Sequence, residues 1–337
     1  MSYQAYVDRY LPLLEAELRD GLDGLAAVPA HYGMMQYHMG WLDASLAPVE
    51  APQGKRLRPM LCLLACEAVG GRIEHALPAA AAIELVHNFS LIHDDIEDGS
   101  SLRRHRATVW KLWGLAQGIN CGDGMLSAAF VKLSQLPERG VAAQQAVNAL
   151  RILAEVCLTL TEGQHLDMAF ETQMDVNLDD YLSMIDKKTA ALVGCATHLG
   201  ALLGGADPDT VAACARFGKH LGLAFQVVDD LLGIWGQEYQ TGKPASADIT
   251  TRKKTLPIVY ALGDPDLRSL YSQEILTETD VAQVLAVLGR QDARQFTEEV
   301  ANAHSAQAME YLGQVGQETP GRRALSEFAQ SLLTRTS

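Results

Sequence analysis

The sequence predicts an all-α protein folded as one large helical bundle. Apolar residues recur at three- and four-residue spacing almost throughout, and strict apolar–polar alternation is nearly absent. No low-complexity segment, short repeat or linker divides the chain, so residues 1–337 read as a single domain.

Helices are expected over about 3–20, 31–47, 57–70 and 76–98. Ala51-Pro52-Gln53-Gly54 breaks the second from the third, and Gly70-Gly71 the third from the fourth. Further helices are expected over 120–136, 141–173, 178–204 and 208–236, parted by Pro137 to Gly140 and by Gly204-Gly205. Asn177 with Asp179-Asp180 reads as N-terminal capping and dipole complementarity, not as a ligand pair. A loop from Gly236 to about Ala247 contains Gly242-Lys243-Pro244, and residues 260–337 carry helical packing without a chemical motif.

Composition narrows the function. With 337 residues, 48% hydrophobic and 20% charged, the chain can bury a sizeable core. The net charge of −14 argues against a nucleic-acid or anionic-membrane surface, although basic residues that converge locally can still hold an anion. The six cysteines form no C-x-x-C pair and most lie in apolar helical runs, which suggests a reduced, cytoplasmic core. Residues 1–10 show no signal core, and the longest uncharged stretch, Thr189 to Ala206, reads as a bundle helix and not a membrane span.

The most informative segment runs from Ile83 to Asp98. It begins as an apolar helix and ends in Asp94, Asp95, Glu97 and Asp98. Asp94 and Asp98 share a helical face one turn apart, with His87 seven residues earlier on that face. Like charges at this spacing destabilise a helix unless a cation compensates, and paired hard oxygen ligands suit Mg²⁺. An acid-rich, solvated helix end is the plainer alternative. A second pair, Asp229-Asp230, is flanked by apolar residues, and burying two carboxylates needs something positive to meet them. Gln226 lies one turn from Asp230 on a shared face.

Cations stand near both motifs. Gly54-Lys55-Arg56-Leu57-Arg58-Pro59 opens a helix and offers a point charge and planar forks suited to phosphate. Arg103-Arg104 follows the first motif, Lys187-Lys188-Thr189 interrupts a helix, and Lys243 and Arg252-Lys253-Lys254 follow the second motif. Each alone could be a solvated patch; their repetition beside acidic motifs points to an anionic ligand held with a metal.

In order, Gly54 to Pro59, His87, Asp94-Asp95-x-x-Asp98 with Arg103-Arg104, Gly163-Gln164, Lys188-Thr189, Phe225-Gln226, Asp229-Asp230, Gly242-Lys243-Pro244 and Lys253 resemble the trans-type isoprenyl diphosphate synthases, the polyprenyl synthetase family. The resemblance covers about residues 54–257. It implies a bundle of the isoprenoid synthase type with a central active-site cavity, usually homodimeric. It also implies Mg²⁺, in three ions, as cofactor, and isopentenyl diphosphate with an allylic diphosphate as substrates. Asp94 and Asp98 would ligate metal from one side and Asp229 from the other, with Asp95 and Asp230 as further candidates. Lys55, Arg58, His87 and Arg104 would hold the isopentenyl diphosphate; Arg103, Lys188, Thr189, Gln226, Lys243 and Lys253 the allylic one. Lys188, Thr189 and Gln226 would also stabilise the allylic cation, and the departed diphosphate would take the final proton.

Two departures stand out. The third position of the second motif, usually Asp, is Gly233, and His105-Arg106-Ala107-Thr108 replaces the common Gly-x-Pro-Thr. Phe89 and Ser90, five and four residues before Asp94, resemble the chain-length positions of twenty-carbon, geranylgeranyl-type synthases, with the fifteen-carbon product as alternative. Three other readings stay open. Glu84-x-x-His87 and Glu162-x-x-His165 match di-iron spacing. A non-catalytic synthase subunit would be expected to lose a motif, and a terpene cyclase would not need Lys55, Arg58 and Arg104.

Overall fold

The computed structural model describes residues 3–23, 28–52, 54–236, 246–273, 275–316 and 318–333. It is helical but for one short hairpin, and it divides into two compact units. Unit one comprises Met1–Ala154, Ala196–Val211 and Gln317–Leu325; unit two comprises Glu155–Cys195, Ala212–Gly316 and Ser326–Ser337.

Unit one holds α1 (Tyr3–Asp23), α2 (Pro29–His38), α3 (Leu57–Ala68), α4 (Ile73–Glu97), α5 (Val109–Trp113) and α6 (Leu115–Ser134). Helix α4 packs against α6, α3 and α1, and its residues from Ala79 to Val86 are all buried. A helix apolar on every side has no solvent face to keep, so it becomes the axis of its bundle. Helix α1 lays Tyr6, Tyr10, Leu14, Leu18 and Leu22, spaced by four, into the same core. Between α4 and α5, Leu102–Arg103 pairs antiparallel with Arg106–Ala107.

The expected helix over 31–47 ends at His38. Past it the backbone turns, and Leu42 and Pro48 form an isolated bridge. Arg106 takes over the carbonyls there: its Nη1 donates to Tyr37 O at 2.9 Å and its Nη2 to Leu42 O at 2.5 Å.

The remaining helices are α7 (Ala143–Thr172), α8 (Leu178–Ile185), α9 (Ala191–Leu203), α10 (Pro208–Trp235), α11 (Ala247–Thr250), α12 (Leu256–Ala261), α13 (Pro265–Tyr271), α14 (Glu278–Arg290), α15 (Ala293–Gly313) and α16 (Pro320–Leu333). Where one helix over 178–204 was expected, α8 and α9 are joined by a π turn, Asp186–Ala190. In unit two, Tyr181, Met184 and Ile185 of α8 pack with Leu223, Val227 and Val228 of α10, Leu256 and Val259 of α12 and Ala301 of α15. A second cluster joins Ile234, Ile249, Ile258, Leu267 and Val284. All six cysteines are buried and unbridged, and no described helix is long and apolar enough to cross a membrane.

Candidate active site

The first acidic motif closes α4. Asp98 is the C-cap, its N–H donating to Asp94 O at 2.9 Å. A helix C-terminus carries partial negative charge, so Asp94, Glu97 and Asp98 stand where carboxylates are least welcome unless a cation joins them. Asp94 is half-buried and Asp98 exposed, whereas Asp95, 2% exposed, turns inward and accepts from Arg103 Nε at 2.8 Å. Burial pushes the Asp95 carboxyl up to about 6 against the pull of Arg103.

Arg103 and Arg104 reach this end from the hairpin. Arg104 (φ 51) and His105 (φ 63) are both left-handed, as a two-residue turn of the primed type requires. The common family glycine would adopt that conformation freely, whereas an L residue there costs about 1–2 kcal/mol. Arg106 offsets it: besides its two carbonyl bonds, its guanidinium lies 4.0 Å over the Tyr37 ring, while Tyr37 Oη donates to Ala107 O at 2.7 Å. Arg104 rests on Gly54, whose left-handed φ of +82 favours glycine; a β-carbon there would stand 2.7 Å from Arg104 Nη2 and push the guanidinium aside. His38 is half-buried beside these cations; burial of its ring first, then Arg104, Arg103 and Arg56, hold its imidazole well down and neutral.

Lys55 and Arg58 flank a residue with a different task. Arg56 (φ 48) is 4% exposed and turns into the core, its Nε donating to Glu15 at 2.8 Å and its Nη1 to Glu84 at 2.9 Å. Arg58 Nη1 stands 3.3 Å from His87 Nε2, and His87 is held well down by burial, then by Arg58, Arg104 and Arg103. The structure thus brings Arg58, His87, Arg103 and Arg104 into one neighbourhood of unit one. Phe89 is buried and meets His93 edge-on at 5.1 Å; Ser90 Oγ donates to His87 O at 2.8 Å.

Unit two carries the second motif on α10. Asp229 is half-buried, while Asp230, 1% exposed, accepts from Leu256 N at 3.0 Å, from Gln226 Nε2 at 3.1 Å and from Tyr181 Oη. Burial pushes the Asp230 carboxyl up to about 6. Gln226 Oε1 in turn accepts from Thr189 Oγ1 at 2.9 Å. The π turn that carries Lys188 and Thr189 presses on α7 at Gly163, where a β-carbon would stand 2.3 Å from Lys188 N. Lys188 pairs with Asp167, and Lys187 with Glu162 at 2.5 Å. The basic run after α11 splits: Lys253 is exposed, but Lys254 is buried, its Nζ donating to Phe170 O at 2.5 Å and Glu171 O at 2.8 Å. Lys243 lies outside the described residues.

The spacing that suggested a di-iron protein is otherwise employed. Glu84 takes Arg56 and Asn88, and Glu162 takes Lys187. Among the described residues, no group of three or more His, Cys, Asp or Glu converges to hold a metal unaided.

The sequence model of the polyprenyl synthetase family matches residues 39–288. The chain belongs to that family. A (2E,6E)-farnesyl diphosphate synthase of Mycobacterium tuberculosis is 39% identical over 313 residues, 90% of this chain and 85% of the relative. A geranylgeranyl diphosphate synthase of the same species is 45% identical over 261 residues, 76% of this chain and 73% of the relative. A crystal structure of a polyprenyl synthetase from Streptomyces coelicolor superposes with a TM-score of 0.90 at 36% identity, covering 99% of this chain and 100% of that one. The all-α isoprenyl synthase fold and the prenyltransferase class follow from these matches.

That Arg56 and Arg106 are internal braces is not legible in the sequence. Their partners, Glu84 and Tyr37, are 28 and 69 residues away. The one signal was that cations such as Arg56 and Arg106 stood beside the clusters without a place in the ligand reading.

Proposed function

We propose that this chain condenses isopentenyl diphosphate with an allylic diphosphate (dimethylallyl, geranyl or farnesyl) and carries the product to geranylgeranyl diphosphate. The observation that carries this reading is the outward acidic end of α4 in the same unit as Lys55, Arg58, His87 and Arg104. The two units are proposed to act as a single 1–337 domain.

The donors fit Mg²⁺: they are carboxylate oxygens in pairs, and such an ion keeps waters and phosphate oxygens for its other positions. Asp94, Asp98 and Asp229 are the proposed ligands of three ions. Asp95 and Asp230, the further candidates, act instead as struts, since both are buried and hydrogen-bonded. When bound, Mg²⁺ offsets the charge that develops on the diphosphate as the C–O bond breaks.

Lys55, Arg58, His87 and Arg104 hold the isopentenyl diphosphate, so the double bond waits beside the forming cation. Arg103, Lys188, Lys253 and Lys243 hold the allylic diphosphate. Thr189 and Asp230 fix both ends of the Gln226 amide, so the oxygen dipoles of Gln226 and Thr189, with the Lys188 backbone carbonyl, stabilise the cation. Phe89 closes the tail pocket, with Ser90 leaving space beneath the metal.

Farnesyl diphosphate is the second reading, favoured by the 39% identical relative. Homodimerisation is supported by exposed apolar side chains of unit one at Leu112, Leu115, Ile119, Val131 and Val147; a monomer mass by light scattering would remove it. The deciding experiment is product analysis by mass spectrometry with isopentenyl diphosphate, Mg²⁺ and each allylic primer. A twenty-carbon diphosphate is expected, and Phe89→Ala should lengthen it. Diphosphate release from the allylic primer alone, without elongation, would overturn the reading.

A further inference from the structure

Gly233 stands on α10 one turn beyond Asp229, on the same helical face. Its side is not vacant. A β-carbon built at Gly233 would stand 2.0 Å from Asp248 Oδ2 and 2.6 Å from its Cγ. The Asp248 carboxylate therefore fills the space that a side chain at position 233 would take.

That placement is built in. Ser246, left-handed at φ 58, starts α11, and its Oγ donates to Ile234 O at 3.0 Å, tying the segment to the residue after Gly233. Ile249, fully buried, packs in the same cluster as Ile234. Lys253 N donates to Asp248 O at 2.8 Å, holding the turn from its other side. Asp248 is thus fastened before and after, while none of the hydrogen bonds or ion pairs found among the described residues ends on its carboxylate.

A second group faces the same spot. Tyr271 is 4% exposed, and its buried Oη meets no hydrogen-bond partner among the described residues. Burial and then the Asp248 charge push its phenol up, with Arg252 opposing. The Asp248 carboxylate, in the side-chain space one turn beyond Asp229, and the Tyr271 hydroxyl form an oxygen-rich, negatively charged set, which a hard divalent cation would stabilise.

We propose that Asp248 is the outer carboxylate of the second acidic motif, supplying from another segment the oxygen donor that Gly233 lacks, toward a divalent cation held at Asp229. This deepens the reading of Asp229 as a metal ligand and rests on it. It also gives Gly233 a reason: any side chain there would displace Asp248.

The test is Mn²⁺ affinity of the full-length chain by electron paramagnetic resonance, in the presence of inorganic diphosphate. Asp248→Asn is expected to weaken Mn²⁺ by about ten- to a hundredfold, with the thermal melt little changed. Gly233→Asp should also weaken it, because the new side chain collides with Asp248. The double variant Gly233→Asp with Asp248→Ala should recover most of the affinity. If Asp229→Asn weakens Mn²⁺ but Asp248→Asn binds it as wild type does, the inference falls and the site reading stands. If neither weakens it, the Asp229 assignment fails and takes the inference with it. Should Asp248→Asn lose its cooperative melt, the double variant decides: recovered affinity supports the exchange of donors, and unrecovered affinity overturns it.

Discussion

The two acidic motifs look alike in sequence and are built differently. Each has one aspartate turned outward, Asp94 or Asp229, and one buried, Asp95 or Asp230. At the end of α4 the buried member is met by a charge, Arg103. Inside α10, more than a turn before its end at Trp235, it is met by neutral donors, the Tyr181 hydroxyl, the Leu256 amide and Gln226. A helix end opposes carboxylates through its dipole and calls for cations, whereas a helix interior can hold one with hydroxyl and amide dipoles. An adjacent pair of aspartates is therefore one ligand candidate and one strut, not a chelating dyad.

The largest effect should separate these roles. Asp94→Asn and Asp229→Asn are expected to lower turnover roughly a hundred- to a thousandfold, with melting temperatures near wild type. Steady-state kinetics beside thermal melts would show it. Asp230→Asn should act chiefly on stability, by about 1–3 kcal/mol, because an amide cannot accept from every donor converging there. Tyr181→Phe should reproduce part of that loss in denaturant unfolding, and an unchanged midpoint would break the comparison.

A smaller effect concerns the charges that surround only the first motif. His38 is kept neutral in the folded state, so its folded pKa lies below the unfolded value near 6.5. Below that pH the unfolded chain binds a proton that the native chain refuses, so this contribution to stability is present above about 6.5 and is lost as pH falls. Unfolding measured from pH 7.5 to 5.5 should show a shallower loss for His38→Gln than for wild type. Smallest of all, His105→Gly should relieve left-handed strain and raise stability by up to about 1 kcal/mol, provided Arg106 keeps its carbonyls.

Helical spacing made the all-α class, both acidic motifs and their cationic neighbours legible in the sequence. It placed Asp94 and Asp98 on one face and Gln226 on the face of Asp230, because i and i+4 are neighbours on any helix. It could not tell which aspartate of each pair meets the core, because the partners that hold Asp95 and Asp230 come from other segments. Arg56 and Arg106 were opaque because their partners come from distant segments. The early end of α2 was missed for the same reason: Arg106, far along the chain, secures the carbonyls that a longer helix would have used.

The π turn between α8 and α9 has a consequence for engineering. Its i→i+5 bonding accommodates one residue more than an α-turn. Shortening Asp186–Ala190 by one residue would restore an ordinary α-turn and leave α9 in phase, but it would withdraw the Lys188 amide from its seat on Gly163. Length at this spot is thus guarded more tightly than side-chain identity, and recombination libraries should keep their crossover points away from it.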